Sequence, residues 1–140
     1  DAVFGPLSYD LVSLLRDCYI RWPQVLVEQR VEGFRRKLLV QAEAQGQAQT
    51  LPDSTTFLRW FDFMGLQRHL KVLGIFARLS LRDGKPRYLD DLPLVLRYVL
   101  EVAQKHPETE GFYRWFIEYL EPKIIDQSWY QPWQSAGEQA

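Results

Sequence analysis

The chain has 140 residues, of which 46% are hydrophobic and 25% charged, and its formal net charge at pH 7 is -1. These values are typical of one globular domain, and a charge near zero gives no electrostatic basis for binding nucleic acid or an anionic membrane. No apolar run approaches the ~18 residues that a membrane-spanning helix needs. The single cysteine, Cys18, excludes an intramolecular disulfide and a cysteine-rich zinc site, and its isolation favours a cytoplasmic protein.

Five helices are predicted in chain order from apolar residues that recur at helical spacing. The first follows Ser8 and ends at Pro23, since proline stops or kinks a helix. The second carries its apolar residues between Val27 and Ala42, and the third occupies residues 57 to 81. The remaining boundaries are set by capping or helix-breaking residues, namely Asp53 or Ser54 before the third helix, Asp90 and Pro107 around the fourth, and Thr109 and Pro122 around the fifth.

No segment alternates apolar and polar residues in the manner of a strand. We therefore predict an all-α fold of about five helices, arranged as a single helical domain over residues 1–140. Residues 123–140 are predicted to form a tail whose apolar side chains pack back on the bundle and whose last residues are mobile.

The third helix carries the most information about function. Its sequence, FLRWFDFMGLQRHLKVLGIFARLSL, is apolar on almost every face, as is typical of a buried helix. Charged side chains are costly to bury without partners, so polar residues in its middle indicate either an internal ion-pair network or the wall of a polar pocket. These polar residues are Asp62, Gln67, Arg68, His69 and Lys71.

Asp62 and His69 are seven residues apart, so they share one face of this helix. In one interpretation both point into a ligand pocket, where the imidazole exchanges hydrogen bonds with a hydroxyl group. In the other, each is paired with a residue of a neighbouring helix. Gly65 lies between them and allows another backbone or a ligand to approach closely. The residues alone leave both interpretations open.

Arg68 and Lys71 lie on a different face of the same helix. They could form a cationic patch for a phosphate or a carboxylate, with arginine the better bidentate partner. Alternatively, they form a solvent-facing strip whose aliphatic stems cover apolar surface. These two interpretations also remain open at the level of sequence.

The motifs of several common catalytic sites are absent from the chain. It has no glycine-rich phosphate loop, no dinucleotide fingerprint, no zinc-binding spacing of histidine and cysteine, and no nucleophile elbow. The residues by themselves therefore specify neither a complete catalytic site nor a metal site.

Three sequence blocks resemble a known family of kinases. The opening DAVFGPLSYDLVSLLRDCY resembles the segment that directly follows the metal-binding Asp of aminoglycoside-phosphotransferase-like kinases, with Gly5 and Tyr9-Asp10-Leu11 in the places of the family's glycine and its Tyr-Asp-Leu helix. The blocks WFDFMGLQRHLKVLGIFARL and DGKPRYLDDLPLVLRYVLEVA resemble the bacterial branch that phosphorylates cell-wall amino sugars, the anomeric kinases of N-acetylmuramate and N-acetylglucosamine.

The resemblance implies the helical C-terminal subdomain of a protein-kinase-like fold, in a transferase of peptidoglycan recycling. The strand-rich ATP lobe, the catalytic loop and the metal-binding Asp of such a kinase would lie upstream of Asp1. ATP and Mg²⁺ would then be bound by a missing N-terminal half, and this chain would not be catalytic alone. By the same resemblance, Asp10 and Gly5 would support the catalytic loop.

Helices of this subdomain often form the wall of the acceptor site in that family, which implies a sugar-binding role for the polar residues of the third helix. The candidates are Asp62, Arg68, His69 and Lys71, with Trp60 as a stacking platform. The alternative function is a non-enzymatic interaction module, in which the abundant aromatic residues and the run Arg35-Arg36-Lys37 contact a partner. A kinase part would expose the apolar surface that its missing half covers, whereas a complete module would not.

Overall fold

The computed structural model describes residues 6–47 and 50–138 of the chain. Within these ranges the regular structure is helical and no strand is present, which confirms the all-α prediction. None of the helices described is both long enough and apolar enough to span a membrane. The α-helices are α1 (Tyr9–Leu15), α2 (Gln24–Ala44), α3 (Ser54–Leu81), α4 (Leu92–Lys105), α5 (Glu110–Trp115) and α6 (Glu121–Ile124).

Helix α3 lies at the centre of the fold and packs against α1, α2 and α4. Its N-terminal half meets α1 and α2 through a core in which Phe57 and Phe61 are fully buried. Its C-terminal half packs against α4 through a second core that contains Phe76 and Val95. Because most residues of α4 are buried, the middle of α3 is enclosed where these helices meet.

The first helix is shorter than the sequence predicted. Helix α1 ends at Leu15 instead of continuing to the predicted proline, because Arg16 adopts φ -127° and ψ 58°, outside the helical region. The cause is tertiary: the side chain and the backbone carbonyl of Arg16 turn toward α3, where they bond to Asp62 and His69. Residues 17–23 therefore form a non-helical connection to α2.

Pro122 does not end the fifth helical segment, contrary to the prediction. Helix α5 passes into a π-helical turn, Phe116–Leu120, and α6 then continues to Ile124 with Pro122 in its first turn. Proline is tolerated in a first helical turn because the N–H that it lacks has no partner there. The three short pieces thus occupy the place of the single predicted fifth helix.

Helix α3 is not buried on every face, which corrects the expectation drawn from its apolar sequence. Trp60 is 48% exposed and Leu70 is 42% exposed. The side of α3 turned away from α4 is called the outer face below. It carries Trp60, Met64, Gln67, Arg68 and Lys71, which recur at helical spacing along one side of the helix.

The segment that follows α6 returns to α4. Trp133 is buried, and Arg97 of α4 donates a hydrogen bond of 2.9 Å to the carbonyl oxygen of Ala136. Gly137 has φ +76°, and a Cβ atom there would lie 2.7 Å from Leu94 Cδ1, so only glycine fits this close approach. The mobility expected for residues 123–140 stays a prediction.

Replacing Asp53 with Ala should lower the free energy of unfolding by about 1 kcal/mol. Asp53 caps α3, as predicted, because its Oδ1 accepts a 2.7 Å hydrogen bond from the backbone N–H of Thr56. The variant Asp53→Asn keeps an acceptor oxygen and should lose less. Urea unfolding followed by circular dichroism measures both, and equal losses would show that the carboxylate charge matters rather than the hydrogen bond.

Candidate functional site

Asp62 is the centre of a buried polar cluster in the middle of α3. Its side chain is fully buried, and three donors from other parts of the chain converge on its two oxygens. Arg16 Nη2 lies 2.8 Å from Oδ1, Lys105 Nζ lies 2.7 Å from Oδ2, and His106 Nε2 lies 3.0 Å from Oδ2. The carboxylate therefore joins the end of α1 and the end of α4 to the middle of α3.

The charge of Asp62 is retained despite its burial. Burial alone would raise the pKa of this carboxyl group, because desolvation disfavours the charged form. The positive charge of Arg16 and the hydrogen bonds from Lys105 and His106 outweigh burial, and the pKa of Asp62 lies below its ordinary value of 3.8. Lys105 is only half-buried, so the cluster has one inner cation, Arg16, and one cation that reaches solvent.

The hydrogen bonds of His106 fix its tautomer. Its Nδ1 lies 3.2 Å from Arg59 Nη1, and a guanidinium group can only donate. Nδ1 must therefore accept, which places the proton on Nε2, where it is donated to Asp62. Arg59 also pairs with Glu108 and lies over the Phe63 ring at 4.7 Å. The cluster thus extends from Asp62 to the turn that follows α4.

His69 binds the backbone rather than another charge. Its Nε2 lies 2.9 Å from the carbonyl oxygen of Arg16, and because a carbonyl only accepts, Nε2 carries the proton. The ring is fully buried and stacks on Tyr98, with the two centroids 4.8 Å apart. Burial is the main cause that lowers the pKa of His69 from 6.5 to about 4, so the imidazole is neutral at pH 7.

Gly65 provides the space that the Arg16 guanidinium occupies. A Cβ atom on Gly65 would lie 3.3 Å from Arg16 Nη1 and 3.7 Å from Val12 Cγ1. On its other side the guanidinium carbon lies 4.7 Å from the centre of the Phe61 ring. The sequence suggested that a backbone or a ligand approaches Gly65 closely. In the structure the Arg16 side chain occupies that space.

A cavity of about 430 Å³ opens beside this cluster, between the end of α1, the start of α2 and the end of α4. Arg21 and Glu101 form a two-bond ion pair on its wall, with distances of 2.8 and 3.1 Å. All but one of its lining residues are polar. The cavity is lined by Arg16, Arg21, Gln24, Glu28, Asp62, Glu101, Val102, Gln104 and Lys105. We call it the Asp62 cavity.

The structure divides the predicted sugar-binding residues between two sides of α3. Asp62 and His69 face inward, whereas Trp60, Arg68 and Lys71 lie on the outer face. Since a helix with its side chains is about 10–12 Å across, one sugar molecule cannot contact both sets. Their assignment to a sugar site stays a prediction, but the five residues do not converge on one pocket.

The outer face is in contact with the N-terminal part of the described chain. Arg68 Nη1 lies 3.5 Å from the hydroxyl of Tyr9, and its guanidinium carbon lies 5.7 Å from the centre of the Tyr9 ring. Asp10, in the first turn of α1, is exposed, while Gly5 lies outside the described residues. An apolar cavity of about 520 Å³ adjoins this region, lined by Pro6, Leu7, Ser8, Trp60, Phe63 and Met64.

Comparison with known proteins identifies the relatives of this chain. A protein of Neisseria meningitidis named N-acetylmuramate/N-acetylglucosamine kinase is 43% identical over 121 residues, which are 86% of this chain and 34% of that protein. Proteins of the same name from Pseudomonas putida and Caulobacter vibrioides are 47% and 34% identical, over 77% and 86% of this chain. The chain is related to the N-acetylmuramate/N-acetylglucosamine kinases. This relationship confirms the resemblance seen in the sequence blocks.

The chain spans about a third of the length of these kinases, 30% to 34% of each relative. No protein-family model matches the chain. No solved structure matches it either. The relationship to the N-acetylmuramate/N-acetylglucosamine kinases therefore rests on sequence identity along most of this chain.

Sequence reasoning missed the partners of Asp62. Arg16 is four residues after the fully buried Val12, so helical spacing continued through residue 16 predicts an inward-facing arginine, and this spacing was a usable signal. Lys105 gave no such signal, because a lysine in the last turn of a helix is accounted for by the helix dipole. Arg21 reaches Glu101, on α4, only through the tertiary fold.

Proposed function

We propose that this chain is the helical, acceptor-binding part of an ATP-dependent amino-sugar kinase, placed C-terminal to the nucleotide-binding part. The observation that carries the proposal is 43% identity over 86% of the chain to a protein named N-acetylmuramate/N-acetylglucosamine kinase. The proposed enzyme is cytoplasmic, where ATP is available, and acts on sugars recycled from peptidoglycan. In such an enzyme the phosphoryl group passes from ATP to a sugar hydroxyl.

The described residues do not fit a magnesium–nucleotide site. Hard cations such as Mg²⁺ need carboxylate oxygens that are free to coordinate them. The buried carboxylate of Asp62 already accepts from Arg16, Lys105 and His106, and the described ranges contain no group of three or more His, Cys, Asp and Glu that could hold a metal ion. We therefore assign the binding of ATP and Mg²⁺ to the remainder of the kinase.

The Asp62 cavity is the acceptor site that the geometry supports best. Its volume of about 430 Å³ falls within the ~300–1,000 Å³ range of small-molecule sites. The amide groups of Gln24 and Gln104 both donate and accept hydrogen bonds, and Lys105 keeps donors beyond the one used by Asp62, so this wall suits a ligand rich in hydroxyl groups. The ion pair of Arg21 with Glu101 keeps those side chains in place.

The outer face of α3 suits contact with the rest of the kinase. Trp60 and Leu7 are 48% and 53% exposed beside the apolar cavity of about 520 Å³. Contiguous apolar surface of this kind marks an interaction site. The sugar contacts that the sequence resemblance implies for Trp60, Arg68 and Lys71 would lie on this side of α3, so they are an alternative to the Asp62 cavity and not a part of it.

The basic run on which the alternative function, a non-enzymatic interaction module, partly relies is paired within its own helix. Arg35 and Arg36 both form ion pairs with Glu32, each at 2.8 Å. Hydrogen bonds from these two arginines lower the pKa of Glu32 to about 2. The basic run is therefore partly neutralised by its own helix and does not present three unpaired cations to a partner.

The variant Lys105→Met in a full-length kinase that contains this chain should raise the KM for the amino sugar about tenfold, which corresponds to about 1.4 kcal/mol of binding free energy. It should leave the KM for ATP nearly unchanged, because ATP is assigned to the remainder of the kinase. The matched control is Lys123→Met in α6, which lies outside the cavity. Steady-state kinetics with each substrate varied in turn make the comparison, and equal changes in both KM values would exclude the cavity as the acceptor site.

A further inference from the structure

Arg16 is held by α3 at two separate points. Its guanidinium is bound by Asp62 at 2.8 Å, and its backbone carbonyl is bound by the ring of His69 at 2.9 Å. Arg16 itself is 6% exposed, and both of its partners are fully buried. One residue at the end of a helix is therefore fixed in both its side chain and its backbone, which leaves it little freedom to move.

Arg16 is also the residue that terminates α1, and α1 depends on such anchors. The helix has seven residues, and an isolated helix of that length is not stable in water. Its other attachments are the buried side chains of Val12 and Leu15, and the contact of Tyr9 with Arg68. The direction of α1 is thus set by its contacts with α3, together with the apolar core that Val12 and Leu15 share with α2.

Asp10 lies on the exposed side of α1, a turn and a half from Arg16. Because α1 is only about 10 Å long at 1.5 Å per residue, a shift or rotation at Arg16 is passed on to Asp10 with little attenuation. A carboxylate that supports a catalytic loop must be held within a fraction of an ångström.

We propose that Asp62 and His69 are positioning residues, which fix Arg16 and thereby the direction in which α1 presents Asp10 to the catalytic part of the enzyme. This inference rests on the proposed function and on the support of the catalytic loop that the sequence resemblance implies for Asp10. It assigns the inward side of α3 a role in the rate of phosphoryl transfer, whereas the Asp62 cavity governs sugar affinity. Arg16 and Asp62 belong to both, because they line the cavity and form the ion pair that holds the end of α1.

Two variants of His69 test the inference in the full-length kinase. His69→Phe keeps an aromatic ring beside Tyr98 but removes the N–H donor to Arg16, whereas His69→Gln keeps a donor at about the same reach. We expect His69→Phe to lower kcat about tenfold with the sugar KM within twofold of the original, and His69→Gln to recover most of that loss. Leu70→Ala, at an exposed position of the same helix, is the control and should change neither.

Hydrogen exchange measured by mass spectrometry on the same variants provides a readout that needs no activity. His69→Phe should speed exchange in peptides from α1 more than in peptides from the buried helix α4, and His69→Gln should restore protection of α1. Unchanged exchange in α1 would overturn the positioning role even if the enzyme proves to be an amino-sugar kinase. A rise in sugar KM with kcat unchanged would overturn it as well, and would place His69 in the sugar site instead.

Discussion

Replacing Asp62 with Ala is expected to lower the free energy of unfolding by about 3–5 kcal/mol, the cost of leaving a buried charge without its partner. Arg16 is 6% exposed and has no other carboxylate within ion-pair distance among the described residues. Its guanidinium would stay buried beside Gly65 and Phe61 with its charge uncompensated. Lys105 would lose the same partner at little cost, since it already reaches solvent. Urea unfolding followed by circular dichroism measures the loss.

The double variant Asp62→Leu with Arg16→Met separates this cause from a loss of packing. Exchanging both members of a buried ion pair for apolar residues is often neutral or stabilising. The double variant should therefore recover most of the stability that Asp62→Ala loses. A double variant as unstable as the single one would show that the guanidinium does not carry the cost, and that the remaining polar groups around Asp62, His106 above all, need the carboxylate.

Much of the fold could be predicted because it depends on local patterns. Spacing of apolar residues gave the helices, and the side chain of Asp53 does cap α3 as its residue type suggested. The length of the first helix could not be predicted in this way, because Arg16 leaves helical geometry in order to reach Asp62 and His69, forty-six and fifty-three residues further along the chain. Contacts at that separation are set by packing and not by local preference.

The candidate site was predictable only in part, for a related reason. The presence of Asp62 and His69 in an apolar helix correctly indicated that polar partners were needed, and their spacing correctly placed them on one side. Whether those partners are other side chains or a ligand depends on which residues the neighbouring helices bring close to α3. The structure provides Arg16 and Lys105 for Asp62 and a backbone carbonyl for His69. The cavity then arises beside the cluster from residues that are unremarkable in the sequence.

Lowering the pH from 7 to 5 is expected to remove about 2 kcal/mol of stability through His69 alone. The folded chain holds the pKa of His69 at about 4, whereas the unfolded chain has the ordinary value of 6.5. Below pH 6.5 the unfolded state therefore takes up a proton that the folded state cannot accept until about pH 4. The contribution is fully present above pH 6.5 and is lost as the pH falls from 6.5 toward 4.

The variant His69→Phe tests this directly, because it removes the titrating group while keeping an aromatic ring against Tyr98. It should be less stable than the original protein at pH 7, since the carbonyl of Arg16 loses its donor. Its stability should nevertheless fall by about 2 kcal/mol less between pH 7 and pH 5. Asp62 does not disturb the comparison, because its pKa is lowered from 3.8 and its carboxylate stays charged at pH 5. Parallel pH profiles for the two proteins, measured by urea unfolding, would mean that the buried ring of His69 accepts a proton in the folded state as readily as in the unfolded one.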